Sequence, residues 1–164
     1  MTIRNYTRGD AAEVLRLWNT AGAQTMGYAP QSAGGLDALL LRHPDFSEKH
    51  SFVLTDADGV RGFVSGVTGD ALAQGRVRGY FSCLLLDPAA DSDENTALLL
   101  AALEDSFRAA GKSVAAVTCF NPVRLPWIIP STDGHRHNNL PGIPTDTALY
   151  RRMLALGWVE ATTE

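Results

Sequence analysis

The chain is short of the residues that staple or metallate a small protein, and it has no long apolar run. Its 164 residues include two cysteines, Cys83 and Cys119, and four histidines. Two thiols cannot build a disulfide framework, and so few sulfur and imidazole ligands make no recognisable zinc site. The longest apolar stretches, such as Cys83-Leu84-Leu85-Leu86, fall far short of the roughly 20 residues that a membrane-spanning helix needs. Met1 to Asp10 carries Arg4, Arg8 and Asp10 without an apolar core, which is not the pattern of a secretory signal. A basic excess is lacking too. Fourteen Lys and Arg stand against 18 Asp and Glu, a net charge of −4. Phosphate backbones are held by basic faces, so neither nucleic acid nor a membrane is an expected partner, and the cytoplasm is the default compartment.

What is present has the make-up of an ordinary globular domain: 45% hydrophobic and 20% charged residues. A single domain of this length buries about 70% of its unfolded surface. Ile3 to Tyr6 reads as a short strand. Ala11, Val14, Leu15, Leu17 and Trp18 then share one helical stripe, with Asp10 as N-cap and Gly22 as stop. Asn19 to Ser32 reads as a loop, and Leu36 to Arg42 as a second helix ended by His43-Pro44. The period then changes to two. Ser51–Leu54 and Arg61–Val67 are strand-like, and Asp56-Ala57-Asp58-Gly59 between them has hairpin chemistry. The same Asp-x-Asp-Gly lacks the ligand series and terminal Glu of a calcium loop.

Arg78 to Leu86 makes a third strand of this group. Ala97 to Ala110 is the clearest helix, with Leu98, Leu99, Ala102, Leu103 and Phe107 inward and Gly111 at its end. Ser113 to Phe120 follows as a nearly continuous apolar strand. Strand, helix and strand form one βαβ unit, so Arg78–Leu86 and Ser113–Phe120 are expected to be parallel, with a right-handed crossover. Pro122 to Pro144 reads as irregular. Asp146 caps a last helix, Ala148 to Leu156, stopped by Gly157, and Trp158 to Glu164 begins another strand.

This order resembles the GCN5-related N-acetyltransferase superfamily over essentially the whole chain. The resemblance is carried by Ile3-Arg4-Asn5-Tyr6-Thr7-Arg8-Gly9-Asp10 before an amphipathic helix. It is carried again by Leu84-Leu85-Leu86-Asp87-Pro88 before Ala97–Leu103, and by Ala148–Leu156 with its Gly157-Trp158 exit. Pro141-Gly142-Ile143-Pro144 looks like bacterial chains with two such domains in tandem. The resemblance implies an α/β (α+β) fold: a mixed, mostly antiparallel sheet with a splayed parallel pair and flanking helices. It implies transfer of an acetyl group from acetyl-CoA to an amine that the sequence does not name. The pantetheine arm would lie along Cys83, Leu84, Leu85 and Leu86. The pyrophosphate would sit at the helix start, near Asn95, Thr96 and Ala97, because free N–H groups and a positive dipole end attract anions there. Asn121 matches a polar position used near the pantetheine.

Two departures qualify that expectation. The family's Q/R-x-x-G-x-G/A loop is replaced by Ala89-Ala90-Asp91-Ser92-Asp93-Glu94-Asn95-Thr96, with no glycine, no arginine and three acids. Each carboxylate opposes a pyrophosphate by about a kcal/mol at a solvated site. Ser92 or Asp93 reads there as a plain helix cap. Where the family places a proton-donating tyrosine stands Met153, and Tyr150 lies one turn earlier as the candidate catalytic residue. His135 and His137, beside Asp133, offer two imidazoles but no fourth metal ligand. The alternative reading is a catalytically degenerate domain serving as scaffold or regulatory partner of an active one.

The resemblance also implies one more strand after Trp158–Glu164, and none follows. The chain therefore reads as the N-terminal part of a longer protein. The edge of Ser113–Phe120 is expected to be covered by the terminal segment or by a second copy in a homodimer, since an open strand edge is association-prone.

Overall fold

The computed structural model describes residues 1–118, 120–128, 136–139 and 142–161, with the backbone alone at 127–128 and 136–139. Alternating residues from Ser51 onward build an antiparallel meander. β1 (Thr2–Asn5) pairs with β2 (Ser51–Asp56), β2 with β3 (Gly59–Val67), and β3 with β4 (Arg78–Leu86). Ala57 and Asp58 make the expected two-residue turn, where Arg61 ties down Asp56 at 2.8 Å and Asp58 at 2.9 Å. β5 (Val114–Ala116) joins β4 in parallel and completes a five-stranded sheet in chain order. This is the mixed α/β sheet with one parallel pair that the sequence implied.

The N-terminal helical region differs from expectation in its ends. Thr7, not Asp10, precedes the first turn (Arg8–Asp10). Asp10 instead accepts a two-pronged bond from Arg4, both at 2.7 Å, and takes the Thr7 N–H at 2.9 Å. α1 (Ala11–Leu17) does not stop at Gly22 but runs through a π turn (Trp18–Gly22) into α2 (Ala23–Thr25). Trp18 explains the continuation: its ring stacks on Tyr28 at 4.5 Å and its Nε1 donates to the Ala29 carbonyl at 3.0 Å. That tertiary anchoring overrides the weak helix propensity of Asn19, Thr20 and Gly22. α3 (Ala33–Leu36) likewise begins earlier than Leu36, capped by Ser32, and continues as a second π turn (Asp37–Leu41).

α4 (Asp93–Ala109) starts four residues before the expected Ala97, with Ser92 as its cap. Its inward stripe is Leu99, Leu100, Leu103 and Phe107, while Leu98 points out and is 40% exposed. α4 packs on one sheet face over β2 and β3, and α1 packs on β3. Phe107 lies so close to the sheet that a Cβ on Gly66 would meet its Cζ at 2.5 Å, so only glycine fits there. Burying one such side chain contributes about 2 kcal/mol. Gly111 (φ +75°) and Gly157 (φ +92°) end α4 and α5 (Ala148–Ala155) as expected. In each case the next N–H returns to the last turn: Lys112 to Phe107 at 2.9 Å, Trp158 to Met153 at 3.0 Å.

Beyond α4 the departures are larger. β5 has three residues rather than the eight of Ser113–Phe120, and Val114 is 43% exposed. The Pro122–Pro144 stretch is not all irregular: β6 (Leu125–Ile128) and β7 (Arg136–Asn139) form an antiparallel pair. Thr147, not Asp146, caps α5, accepting the Tyr150 N–H at 3.2 Å. Residues 158–161 form no strand, contrary to the strand expected from Trp158. No helix among the described residues is long and apolar enough to cross a membrane.

Candidate active site

β4 and β5 run side by side only from Arg78↔Val114 to Tyr80↔Ala116. Past Tyr80 the two strands separate, and β4 continues to Leu86 with no strand beside that edge among the described residues. A cleft of about 330 Å³ opens beside this free stretch, lined by Leu84 and Leu86 of β4, Thr96 of α4, Leu149 and Arg152 of α5, and Met26 beyond α2. The alternation of β4 decides which residues reach it. Leu86 faces α4, against Leu99 and Gly62, whereas Leu85 faces the π turn at Gly22. Cys83 and Leu85 are therefore core residues. Burial pushes the Cys83 thiol up to about 12, so it is no nucleophile at neutral pH.

Asn121 does not line the cleft but ties the chain after β5 to the middle of β4. It is 1% exposed, and its amide donates to the Phe81 carbonyl at 3.0 Å and to Ser82 Oγ at 3.1 Å, while its carbonyl accepts the Val123 N–H at 2.9 Å. One side chain thus occupies the carbonyl on the edge of β4 just where β5 leaves. Both amide hydrogens of Asn121 are spent within the protein.

The start of α4 closes the other end. Ser92 Oγ accepts the Asn95 N–H at 3.2 Å, and the buried Asn95 amide donates to the Ala90 carbonyl at 2.7 Å. Thr96 Oγ1 donates back to the Ser92 carbonyl at 2.9 Å. Ala97 is half-buried and does not line the cleft. The acids of the loop are not left to themselves. Arg152, from α5, bridges Asp91 and Asp93, with Nε 2.7 Å from Asp93 Oδ1. Nothing in the local sequence announces this, because the partners are about sixty residues apart; the only hint is an excess of acids wanting a cation. Below the loop, Asp87 accepts the Ala89 N–H at 3.0 Å and binds Arg16 at 2.8 Å, contacts that hold its carboxyl below the usual range.

Tyr150 stands apart from the cleft. Its hydroxyl donates to Glu160, and that bond raises its pKa above the ordinary value. Tyr150 is half-buried and outside the core. Met153 is 4% exposed and belongs to the core. Cys119, Asp133 and His135 lie outside the described residues, and of His137 only the strand position in β7 is described. Among the described residues no three His, Cys, Asp or Glu side chains gather as a metal group.

The residues present fit one part of acetyl-CoA and not the other. The unpartnered stretch of β4 and the apolar walls at Leu84 and Leu86 suit a pantetheine arm, which needs backbone partners and a dry channel. The start of α4 does not suit a diphosphate as it stands, because Asp91 and Asp93 project where negative charge would have to lie.

With the sheet, its parting strands and the cleft in place, the architecture is the acyl-CoA N-acyltransferase fold. The GCN5-related glucosamine N-acetyltransferase region of a fungal multi-domain β-N-acetylglucosaminidase superposes with a TM-score of 0.62 at 19% identity, over 94% of this chain and 16% of that one. The protein yncA of Salmonella typhimurium, solved with its cofactor acetyl-CoA, gives 0.54 at 21% identity, over 70% of this chain and 66% of that one. A transcriptional regulator from Bacillus halodurans C-125 gives 0.64 at 14% identity, over 99% of this chain and 95% of that one. No family sequence model matches the chain, and no curated protein matches it significantly in sequence.

Proposed function

We propose that this chain is an acyl-CoA-dependent N-acyltransferase domain that transfers an acetyl group from acetyl-CoA to an amine in the cytoplasm. The observation that carries the reading is the cleft itself: it lies along the end of β4 past its parallel pairing with β5, between the start of α4 and α5. Acetyl-CoA supplies a thioester carbonyl; the amine nitrogen forms the new C–N bond as the C–S bond breaks. This chain's part is positional. The edge of β4 offers backbone groups to the donor arm, Leu84 and Leu86 exclude water, and the π-turned helix at Met26 walls the acceptor side. Among the described residues no tyrosine lines the cleft, and the leaving thiolate takes its proton from solvent or from the ammonium of the product.

Thermal unfolding with increasing acetyl-CoA tests the reading. At ten times the Kd, stabilisation is about 1.4 kcal/mol, a rise of roughly 3–6 °C in midpoint for a chain of this size. No rise at millimolar donor overturns it.

A second reading, the degenerate domain acting as scaffold or regulatory partner, is favoured by the place of Tyr150, whose hydroxyl is held by Glu160 away from the cleft. Donor binding without acetyl transfer to any of a panel of primary amines, polyamines and peptide N-termini selects it.

A further inference from the structure

The end of the cleft where a CoA diphosphate would have to lie is already spanned by an internal ion pair. Arg152 Nε donates to Asp93 Oδ1 at 2.7 Å, and Nη1 donates to Asp91 and approaches Thr96 Oγ1 at 3.4 Å. The contact joins the loop after β4, the first turns of α4, and α5. Exposure is divided unevenly across it. The Arg152 side chain is 17% exposed, whereas Asp93 is 92% and Asp91 40% exposed. An incoming anion therefore meets carboxylates before it meets the guanidinium. One cation against two anions leaves the mouth negative, and Glu94, in the same first turn, adds to it.

We propose, resting on the acyltransferase reading, that Asp91, Asp93 and Arg152 form a latch that closes the nucleotide end of the cleft. The two carboxylates take up the guanidinium that a diphosphate would otherwise use, so the chain recognises the pantetheine arm of its donor and not the nucleotide. The chemistry is that of competition. A guanidinium fork fits carboxylate and phosphate alike, and exposed ion pairs are weakly held and exchangeable. With the two carboxylates neutralised, the same end of the cleft presents an unpaired guanidinium beside a helix N-terminus, two negative charges fewer with no change of shape. A mere brace between α4 and α5 behaves otherwise: its loss lowers stability and leaves ligand binding where it was.

Calorimetric titration with two probes separates these. CoA carries the diphosphate and pantetheine does not. The unaltered chain is expected to bind both within about threefold of each other. The Asp91→Asn, Asp93→Asn double variant is expected to bind CoA at least tenfold more tightly while its affinity for pantetheine stays within twofold. Adding Arg152→Gln to that variant should remove the gain. The single Asp93→Asn variant, altered only at a highly exposed carboxylate, gives an intermediate gain if the double variant folds poorly by near-UV circular dichroism. Three results overturn the latch: a tenfold preference of the unaltered chain for CoA, no gain for CoA in a double variant that still binds pantetheine, or a gain that survives without Arg152. Failure of every variant to bind pantetheine overturns both the latch and the acyltransferase reading, and so is distinct from failure of the latch alone.

Discussion

Strands β1 to β4 and strand β5 belong to one sheet but are held by different forces. The first four pair along long antiparallel registers, from Thr2↔Thr55 through Gly62↔Leu86, with bulges at Leu54/Thr55 and Ser65/Gly66. β1 is largely exposed, but the side chains of β3 and β4 are largely buried, and Val53, Leu54, Phe63, Val64 and Tyr80 are fully buried. β5 makes three residue pairs and carries an exposed valine. The chain after it and the end of the cleft are held by single directional contacts: Asn121 on Phe81 and Ser82, and Arg152 on Asp91 and Asp93. Apolar burial is spread over many residues and tolerates small changes, whereas each polar tie is single. The stable part and the alterable part of this protein are thus separate regions.

Core truncation should have the largest effect. Phe107→Ala is expected to cost about 3–5 kcal/mol, read as a lower midpoint in denaturant with unchanged slope. Gly66→Ala is expected to cost about 1–3 kcal/mol by overpacking, because the new methyl meets both Phe107 and, at 2.8 Å, the Tyr80 carbonyl oxygen. If either is silent, the contrast between the two regions collapses.

Asn121→Ala should come next and sharpen the contrast from the other side. It strands the buried Phe81 carbonyl and the Val123 N–H, at about 1–3 kcal/mol. Hydrogen exchange in that variant should speed up around β5 and leave β2 and β3 protected. Uniform loss of protection would mean that β5 is as integral as the rest.

Acid should act on the body through Asp10. The Arg4 guanidinium, and then the Thr7 N–H and hydroxyl, hold its carboxyl at about 2, below the usual 3.8. A depressed folded value means that the stabilisation is complete above the unfolded value and is lost as pH falls through the folded one, here between about pH 4 and 2. With Arg4 44% exposed, the loss is about 1–2 kcal/mol. Asp10→Asn should flatten that part of the stability–pH curve. His50 runs the same way at higher pH. Burial, and then Lys49 and Lys112, lower its pKa below 6.5, so the unfolded chain takes the proton first and stability declines as pH falls below about 6.5. Its ring sits between Ser106 Oγ at 3.0 Å and Thr68 Oγ1 at 2.8 Å, and His50→Gln should remove the slope.

Tyr150→Phe should do least. With its hydroxyl on Glu160 and away from the cleft, the change is expected to shift stability by under about 0.5 kcal/mol and acetyl transfer by less than threefold. A loss of a hundredfold would place the tyrosine in the chemistry.

The same division governs what could be read from the sequence. Asp56-Ala57-Asp58-Gly59, Gly111 and Gly157 mark real ends because a turn or helix stop depends on the residue at that point. The antiparallel meander follows from strand-like runs and a turn visible locally, and the parallel pair from the order strand, helix, strand. Asn19 to Thr25 misled because its helix is imposed by Trp18 packing on Tyr28, a contact that no local propensity contains. Leu125 to Asn139 misled because Pro126 and the polar Arg136–Asn139 give no period of two, yet they pair. Of the residues that the resemblance singled out, Leu84, Leu86 and Thr96 line the cleft. The side chains of Cys83, Leu85 and Ala97 do not line it, and the contact of Arg152 with Asp91 and Asp93 needed the fold to bring α5 to α4.

The π turn at Trp18–Gly22 gives the first helix a particular frame. One extra residue in a helical turn rotates everything after it by about 100° relative to an unbroken α-helix, and what comes after it is Gln24, Thr25 and Met26, a wall of the cleft. A one-residue deletion between Asn19 and Ala21 would therefore be cheap for the helix, which would close into regular α geometry, and expensive for the wall, which would turn its faces away. A change of length at this point, rather than a change of side chain, would re-aim this wall of the cleft while leaving the sheet beneath it untouched.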